Sequence, residues 1–333
     1  TMNDVPIVMP GKFGSHLGVI DLELEKDGDK WDVKQGTGSV REIAKDDTID
    51  TKLADVVKEA HEGTISYVRK PVGTTTADIH SYFARVQDDP SIQIVTNVQK
   101  LYVEQKIKGT ENEGLPVLSV GAPFKADTFV PKGEIAIKNV ADLYLYDNTV
   151  AMLKVTGADI KEWLEMSAGQ FNQIDPSKTE EQQLINTDFP SFLYDVIDGV
   201  TYEFDVTQPA KYDKGGNVIN ENASRVVNLQ FEGKPVEDDQ LFIVATNNYR
   251  ANGSTPGVRN AMQIEFYPDE NRQLIIDYLV EQKTVNPTAD NNWTFTKFPE
   301  GVKVVFEASE KAKDVLSEGS PIKHLGERKY TFK

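Results

Sequence analysis

Apolar residues recur along this chain at two different spacings, and no other property of the sequence limits the possible folds so strongly. In the first pattern they are three and four residues apart, which places them on one face of a helix. Such stretches occur at 53–60, 79–86, 160–168, 274–279 and 312–316. We expect the second stretch to end at Asp88-Asp89-Pro90, because proline disfavours helix in the residue before it.

The second spacing predicts strands between these helices. Residues 200–206 alternate apolar and polar at every step, which is typical of a strand with one buried and one solvated face. Residues 241–245 are apolar throughout, as expected for a central strand covered on both sides. Shorter apolar runs lie at 116–118 and 150–153. Since no regular βαβ repeat is visible, the pattern predicts an α+β fold with a mixed β-sheet and flanking helices.

The first part of the chain has a different character. Residues 7–21 combine apolar stretches with a glycine-rich turn, and this segment is too short to form its own core. We interpret it as the terminal hairpin of a larger unit, and residues 24–50 as an exposed strand followed by a linker. We therefore expect residues 1–48 to be the end of one domain with its linker, and residues 49–333 to form a second domain.

The charge and composition of the chain limit its partners. Its 36 Lys and Arg residues and 53 Asp and Glu residues give a net charge of −17, which repels the phosphates of polymeric nucleic acid. A small nucleotide remains possible, because a local pocket can oppose the overall field. No run of about 18 apolar residues is present, so we expect no membrane insertion. Cysteine is absent, which excludes disulfides, thiolate metal ligands and cysteine nucleophiles.

The sequence shows no recognisable catalytic centre. Its four histidines, at positions 16, 61, 80 and 324, have neither the HxH nor the HExxH spacing of metal-binding motifs. Gly14-Ser15-His16-Leu17-Gly18 lacks the strand-to-helix context of a nucleophile elbow. We therefore expect no catalytic residue, no metal site and no cofactor within this chain.

Two polar loops each place an aromatic residue beside a predicted buried strand. Tyr146 precedes the strand at 150–153, and Tyr249 follows the strand at 241–245. Ligands of such sheets commonly lie at strand ends. Two facing rings could hold a nucleobase, because base–aromatic stacking contributes about 1–3 kcal/mol and tolerates every base. The alternative is that both tyrosines only pack against neighbouring loops.

Two cations lie in loops that also follow predicted strands. Arg250 comes directly after Tyr249, and Lys125 follows the strand at 116–118. Each could contact a phosphate or pair with a nearby carboxylate, and the sequence leaves both alternatives open.

A set of short segments occurs in a fixed order along the chain. One of them is Ala245-Thr246-Asn247-Asn248-Tyr249-Arg250-Ala251. The others are Gln87-Asp88-Asp89-Pro90, Ala122-Pro123-Phe124-Lys125-Ala126, Leu143-Tyr144-Leu145-Tyr146, the runs at 167–176, 194–200 and 205–209, Pro268-Asp269-Glu270-Asn271-Arg272, and Ala289-Asp290-Asn291-Asn292-Trp293. In this order they resemble the C-terminal part of the bacterial 2′,3′-cyclic-nucleotide 2′-phosphodiesterase/3′-nucleotidases of the 5′-nucleotidase superfamily.

The resemblance implies a two-domain, extracytoplasmic enzyme: periplasmic, secreted or attached to the cell wall. An N-terminal calcineurin-like metallophosphoesterase domain would bind two divalent metal ions, and the C-terminal α+β domain would bind the nucleoside. The metal motifs of the family would lie before Thr1, so this chain alone is expected to be inactive. Its implied partners are a small nucleotide or nucleoside and its own N-terminal domain.

The same resemblance implies site residues. In the family two aromatic residues hold the base, and their positions correspond to Tyr146 and Tyr249. We also assign to substrate binding six residues in or beside the loops described above: Phe124, Lys125, Asn248, Arg250, Asn252 and Gly253.

The run Asn252-Gly253-Ser254-Thr255 favours one branch of the superfamily. 5′-Nucleotidases have an aspartate here that contacts the ribose hydroxyls, and this chain has none. A ribose that carries phosphate on its 2′ and 3′ oxygens offers no free diol, so the lost carboxylate fits a cyclic phosphodiesterase. Two alternatives stay open: the C-terminal domain of a 5′-nucleotidase or UDP-sugar hydrolase, and a stand-alone nucleoside-binding module.

Overall fold

The computed structural model describes residues 5–44, 48 and 50–333. Contacts divide the chain into two compact units, Thr1–Ile65 and Ser66–Lys333, and helix α1 (Thr51–Val68) crosses this division. The domain boundary after residue 48 stays a prediction. Residues 45–47 and 49 of the predicted linker lie outside the described residues.

A long β-hairpin forms most of the first unit. Strand β1 (His16–Asp27) pairs antiparallel with β2 (Lys30–Glu42) around the turn Gly28-Asp29. Gly28 has a φ of 60°, which a glycine tolerates at the first central position of a two-residue hairpin turn. The hairpin predicted at 7–21 was therefore placed wrongly, because the chain reverses direction at Gly28. Most of residues 24–50, which we expected to form an exposed strand and a linker, belong to this hairpin instead.

The segment before β1 packs against glycines of the hairpin. A Cβ atom on Gly36 would lie 2.7 Å from Pro6 Cγ, and one on Gly38 would lie 2.8 Å from Val8 Cγ1. Both distances are too short for a side chain, so these two glycines allow the close approach.

The second unit is built on a mixed five-stranded sheet. Its strand order is β10 (Val196–Asp198), β5 (Val117–Gly121), β14 (Leu241–Asn247), β8 (Thr149–Thr156) and β15 (Gln263–Glu270). Strand β14 is parallel to β5 and antiparallel to β8, which confirms the predicted mixed sheet. Residues 242–247 are all buried, as the continuous apolar run in this strand predicts.

Smaller sheets surround this one. The first contains β16 (Thr284–Val285), β3 (Pro71–Thr75) and β7 (Gly133–Ala136). The second is the pair β4 (Ile79–His80) and β6 (Phe129–Val130). A third contains β13 (Lys234–Pro235), β12 (Val226–Phe231), β11 (Thr201–Phe204) and β17 (Trp293–Phe295). A fourth contains β19 (Ile322–Gly326), β20 (Lys329–Phe332), β18 (Lys303–Glu307) and β9 (Glu181–Gln183).

Helices flank these sheets, in agreement with the predicted α+β class. They are α2 (Pro90–Lys106), α3 (Ile137–Leu143), α4 (Gly157–Ser167), α5 (Asn248–Ala251) and α6 (Asn271–Gln282). The helices predicted around 53–60, 160–168 and 274–279 correspond to α1, α4 and α6. The short one predicted near 312–316 is a 3₁₀ helix, Glu310–Val315; two others are Ala168–Gln170 and Ser191–Leu193.

The helix predicted at 79–86 is wrong. Ile79 begins β4, residues 82–86 form turns, and the helix starts only at Pro90. Proline begins this helix because its missing N–H has no partner in a first turn anyway. The side chain of Asp89 caps the helix by accepting a hydrogen bond from Ser91 N at 2.9 Å. Asp88-Asp89-Pro90 is therefore the start of a helix, where we expected an end.

The core of the second unit contains a cluster of aromatic rings. Phe204 of β11 lies against Phe171 and Trp293, with ring centroids 5.6 and 5.8 Å apart. Trp163 of α4 is buried beside this cluster. In the part of the chain that is described, no helix combines the length and hydrophobicity needed to span a bilayer.

Candidate functional site

The end of the central strand β14 presents Tyr249 to solvent. The strand ends at Asn247, whose side chain accepts a hydrogen bond from Arg250 N at 2.9 Å and so begins the short helix α5. In α5, neighbouring side chains point in different directions. Tyr249 is 60% exposed, whereas Arg250 is buried.

The loop before β8 lies next to α5, because β8 and β14 are neighbours in the sheet. Asn247 pairs with Val150, and Asn248 Oδ1 accepts a hydrogen bond from Thr149 N at 3.2 Å. Arg272 of α6 also holds this loop: its Nη2 donates to Leu145 O at 2.9 Å, and its Nη1 lies 2.6 Å from Asp147 Oδ1.

Tyr146 is exposed in this loop, with 46% of its surface accessible. Its ring meets Phe124 edge to face, with centroids 5.1 Å apart and planes at 85°. Phe124 also meets the buried Tyr144 edge to face at 5.6 Å. Two of the predicted site residues, Phe124 and Tyr146, are thus in direct contact, and edge-to-face packing on the half-buried ring of Phe124 supports the orientation of Tyr146.

A cleft of about 450 Å³ opens beside Tyr249. Of the described residues, eight line it: Asn148, Leu193, Asn248, Tyr249, Arg250, Asn252, Gly253 and Thr255. Five of the eight predicted site residues therefore come together, whereas Phe124, Lys125 and Tyr146 lie outside this set. That the rings of Tyr146 and Tyr249 hold a base between them stays a prediction.

The guanidinium of Arg250 is engaged in a buried network behind the cleft. Its Nη2 donates to Asp195 Oδ1 at 2.7 Å and to Phe192 O at 2.6 Å. Trp163 Nε1 donates to the other oxygen of Asp195 at 2.8 Å. Burial raises the pKa of Asp195, while the positive charge of Arg250 opposes that shift. Of the two alternatives for Arg250, the structure contains the pairing with a carboxylate.

Lys125 is also paired, and it lies apart from the cleft. Its Nζ is 2.8 Å from Asp142 Oδ1. The hydrogen bond to Asp142 raises the pKa of Lys125 above its usual value. Whether this cation contacts a ligand stays a prediction.

The cleft also contains residues that sequence reasoning missed. Asn148 and Leu193 line it, and Asp195 supports it through Arg250. Asn148 Nδ2 donates to Tyr144 Oη at 3.3 Å, and burial raises the pKa of Tyr144 to about 12, which keeps that hydroxyl protonated at neutral pH. Leu193 and Asp195 lie in or beside one of the matched segments, at 194–200, but their type alone did not indicate a site.

Within the described ranges there is no group of three or more His, Cys, Asp or Glu side chains placed to bind a metal ion. The cleft residues are amides, a phenol, an arginine, a threonine and small or apolar groups. They can hydrogen-bond and stack against a ligand, but none of them is arranged as a nucleophile with a neighbouring base.

Residues 71–258 match the family described as 5′-nucleotidase, C-terminal domain. Among curated proteins, the trifunctional nucleotide phosphoesterase protein YfkN of Bacillus subtilis (strain 168) is 50% identical over 337 residues, covering 98% of this chain and 23% of that protein. The 2′,3′-cyclic-nucleotide 2′-phosphodiesterase/3′-nucleotidase of Salmonella typhimurium is 46% identical over 315 residues, covering 88% of this chain and 49% of that protein.

Solved structures show the same fold. A putative 5′-nucleotidase from Staphylococcus aureus superposes with a TM-score of 0.61 at 22% identity, over 86% of this chain and 52% of that one. The 5′-nucleotidase precursor from Thermus thermophilus gives 0.55 at 18% identity, over 86% and 51%.

The chain spans less than half of the length of the two curated relatives, 23% and 49%. The family match extends from β3 through α5, and so includes the strands, the loop before β8 and the helix that form the cleft. This chain belongs to the 5′-nucleotidase C-terminal domain family.

Proposed function

We propose that this chain is the nucleoside-recognising part of a longer 2′,3′-cyclic-nucleotide 2′-phosphodiesterase/3′-nucleotidase. The observation that carries the proposal is an exposed tyrosine, Tyr249, beside a cleft of nucleoside size that is lined by several amide side chains at the end of a central strand. The 41–50% identity to curated nucleotide phosphoesterases supports the choice of substrate class.

The polarity of the cleft supports recognition of the base and sugar through neutral groups. Asn248 Oδ1 is occupied by Thr149 N, while its Nδ2 remains available to a ligand. Asn252 Nδ2 donates to Asn248 O at 2.8 Å, which leaves its Oδ1 as an acceptor. Such amides provide both donors and acceptors, so they suit the mixed polar edges of a nucleobase.

The charge of the cleft favours a cyclic or 3′-phosphorylated ribose over a free diol. None of the residues that line it, within the described part of the chain, is acidic. A carboxylate would bind a free 2′,3′-diol but would repel a phosphate on the same oxygens. The C-terminal domain of a 5′-nucleotidase is the alternative that this feature disfavours.

In this proposal the chain positions the substrate, and the hydrolysis occurs elsewhere in the longer protein. We assign that step to two divalent metal ions in a metallophosphoesterase domain, which activate water and stabilise the charge on the phosphate. Holding the base fixes the direction of the phosphate, and such positioning lowers the barrier by several kcal/mol. We place the longer protein outside the cytoplasm.

Stacking of the base between the rings of Tyr146 and Tyr249 is tested by replacing each of these exposed tyrosines. Tyr249→Ala and Tyr146→Ala should each weaken binding of adenosine 3′-monophosphate by about 1–3 kcal/mol, because each removes one stacking surface. Isothermal titration calorimetry measures the change. Tyr67→Ala is the matched control, since Tyr67 is also 60% exposed and should leave the affinity unchanged.

Equal affinity in wild type and Tyr249→Ala would contradict the proposed site. A loss in Tyr249→Ala without a loss in Tyr146→Ala would limit the site to one ring. The purified chain should also show no turnover of 2′,3′-cyclic AMP with Mn²⁺, and measurable hydrolysis would refute the assignment of catalysis to another domain.

A further inference from the structure

A second cleft lies in Ser66–Lys333, formed by residues other than those around Tyr249. It has a volume of about 490 Å³. Three parts of the chain form it. The first is the set of turns after β4, with Tyr82 and Arg85, and the second is the loop at 126–127. The third is the end of β18 with the residues after it, from Phe306 to Glu310, together with Arg328 in the turn before β20. It shares no lining residue with the cleft beside Tyr249.

Among the residues that the structure describes, none hydrogen-bonds or forms an ion pair with the guanidinium of Arg85. Its Nε is shielded from solvent and makes no hydrogen bond. No carboxylate of the described residues lies within 4.0 Å of it to form an ion pair. An unpaired, half-buried cation is costly, because burial removes water without replacing its hydrogen bonds. In a chain with a net charge of −17, this lack of an acidic partner is unusual.

Two further donors line the same cleft. Arg328 donates from Nε to Ala308 O at 3.2 Å, which orients the side chain, and in the described part of the chain its terminal amino groups have no partner. Tyr82 is buried, and its ring stacks on His80 with centroids 5.3 Å apart. Burial raises the pKa of Tyr82 above its usual value, so its hydroxyl remains a donor at neutral pH.

We propose that this cleft binds a small oxyanion, a carboxylate or a phosphate, through the guanidinium groups of Arg85 and Arg328 and the hydroxyl of Tyr82. Arginine presents paired N–H groups that match two oxygens of either anion. The ligand would accept hydrogen bonds from the terminal amino groups of Arg85, since the Nε atom is shielded from solvent.

Acidic side chains in the same cleft restrict the charge of that ligand. Asp127, Glu307 and Glu310 also line it, and all three are exposed. They repel a second negative charge close to the cleft, so they disfavour diphosphates and longer polyphosphates. The cleft should therefore prefer a small anion of low charge over a nucleoside diphosphate.

Thermal unfolding in the presence of defined anions tests the proposal. Inorganic phosphate and acetate, each compared with chloride at equal ionic strength, distinguish the two classes of oxyanion. At least one of them should raise the melting temperature of the wild-type chain in a saturable way. Stabilisation by neither anion would overturn the proposal.

Variants then connect the effect to the cleft. Arg85→Met should weaken binding of the effective anion at least about tenfold, and Arg328→Gln should weaken it less, since Arg328 is exposed. Arg69→Gln, which removes an exposed arginine outside the cleft, and Tyr249→Ala should keep the wild-type response. The second of these controls separates this site from the proposed nucleoside site.

The stability of the variant without added anion gives an independent readout. In chloride alone, Arg85→Met should be at least as stable as wild type, because an apolar side chain replaces an unpaired, half-buried charge. Two results would refute the proposal and show that Arg85 is only structural. In the first, Arg85→Met loses the same stability with and without the anion. In the second, the anion stabilises Arg85→Met as much as it stabilises wild type.

Discussion

The two units of the chain use apolar residues in opposite ways. In the described residues of the first unit, 5–44, 48 and 50–65, no side chain is buried. Ile20, Leu22 and Leu24 share one face of β1 and remain 44%, 49% and 49% exposed. In the second unit, by contrast, Phe204 and Ile243 are completely buried.

This difference shows what a periodic pattern can and cannot specify. Alternation along a strand specifies an apolar face, but the face becomes a core only when a second layer covers it. A two-stranded hairpin has no second layer of its own and is marginal in isolation. The five-stranded sheet of the second unit is covered by α2 and α4 and surrounded by further sheets, so the same kind of pattern is buried there.

The largest effect should come from the core of the second unit. Phe204→Ala should lower the free energy of unfolding by about 3–5 kcal/mol, because it leaves a cavity among Phe171, Trp293 and Phe295. Urea unfolding followed by circular dichroism measures the loss. Phe13→Ala in the first unit is the control: its ring is 96% exposed, so its removal should change little. Similar losses in both variants would break the comparison.

Much of the second unit could be predicted because its apolar residues follow regular strand or helix spacings and become buried. The run at 241–245 became the buried β14, and the helical spacings at 160–168 and 274–279 became α4 and α6. The failure at 79–86 has a local cause. Turns can bury apolar residues at helical spacing as well, and Pro90 is compatible with both the end and the beginning of a helix.

Only part of the site could be predicted from the sequence. The residues that face the cleft lie close together in the sequence, but the residues that hold them by hydrogen bonds and ion pairs lie far away in it. Tyr249, Asn252 and Gly253 follow one strand, and the structure places them in one cleft. The pairing of Arg250 with Asp195 joins positions 55 residues apart, and no local spacing indicates it. The unpaired state of Arg85 was equally invisible, because the lack of a partner is a property of the folded chain.

A smaller effect on the free energy of unfolding should come from buried ionisable side chains. The second unit contains such side chains, and the described part of the first unit does not. Burial raises the pKa of Asp198 from 3.8 to about 7, so its ionised form destabilises the fold. The folded state then binds a proton that the unfolded state has lost, and stability falls as the pH rises from about 4 to about 7. Asp198→Asn should remove the contribution of Asp198 to this slope, whereas Asp89, whose pKa burial also raises to about 7, should keep its own.

Urea unfolding at pH 5 and pH 8 measures that change. Relative to wild type, Asp198→Asn should be more stable at pH 8 than at pH 5 by roughly 1–3 kcal/mol, since one unit of pKa shift corresponds to about 1.4 kcal/mol. The amide still accepts the hydrogen bond that Gln93 Nε2 donates at 2.8 Å. Asp32→Asn in β2 is the exposed control and should keep the wild-type slope. An unchanged slope in Asp198→Asn would mean that other carboxylates cause the pH dependence.

The smallest effect should come from the apolar surface of the hairpin. Trp31 is 62% exposed, and Lys26 Nζ lies 5.9 Å from its ring centroid. Trp31→Ala should change the free energy of unfolding by no more than about 0.5 kcal/mol, because little surface leaves water at this position when the chain folds. It should shift the tryptophan emission to shorter wavelength, since the two tryptophans that remain, Trp163 and Trp293, are buried. Two results would show that the apolar face of the hairpin is covered in solution: a loss of unfolding free energy comparable to that of Phe204→Ala, or an emission maximum that does not move. Either result would mean that the two units do not differ in the burial of their apolar residues.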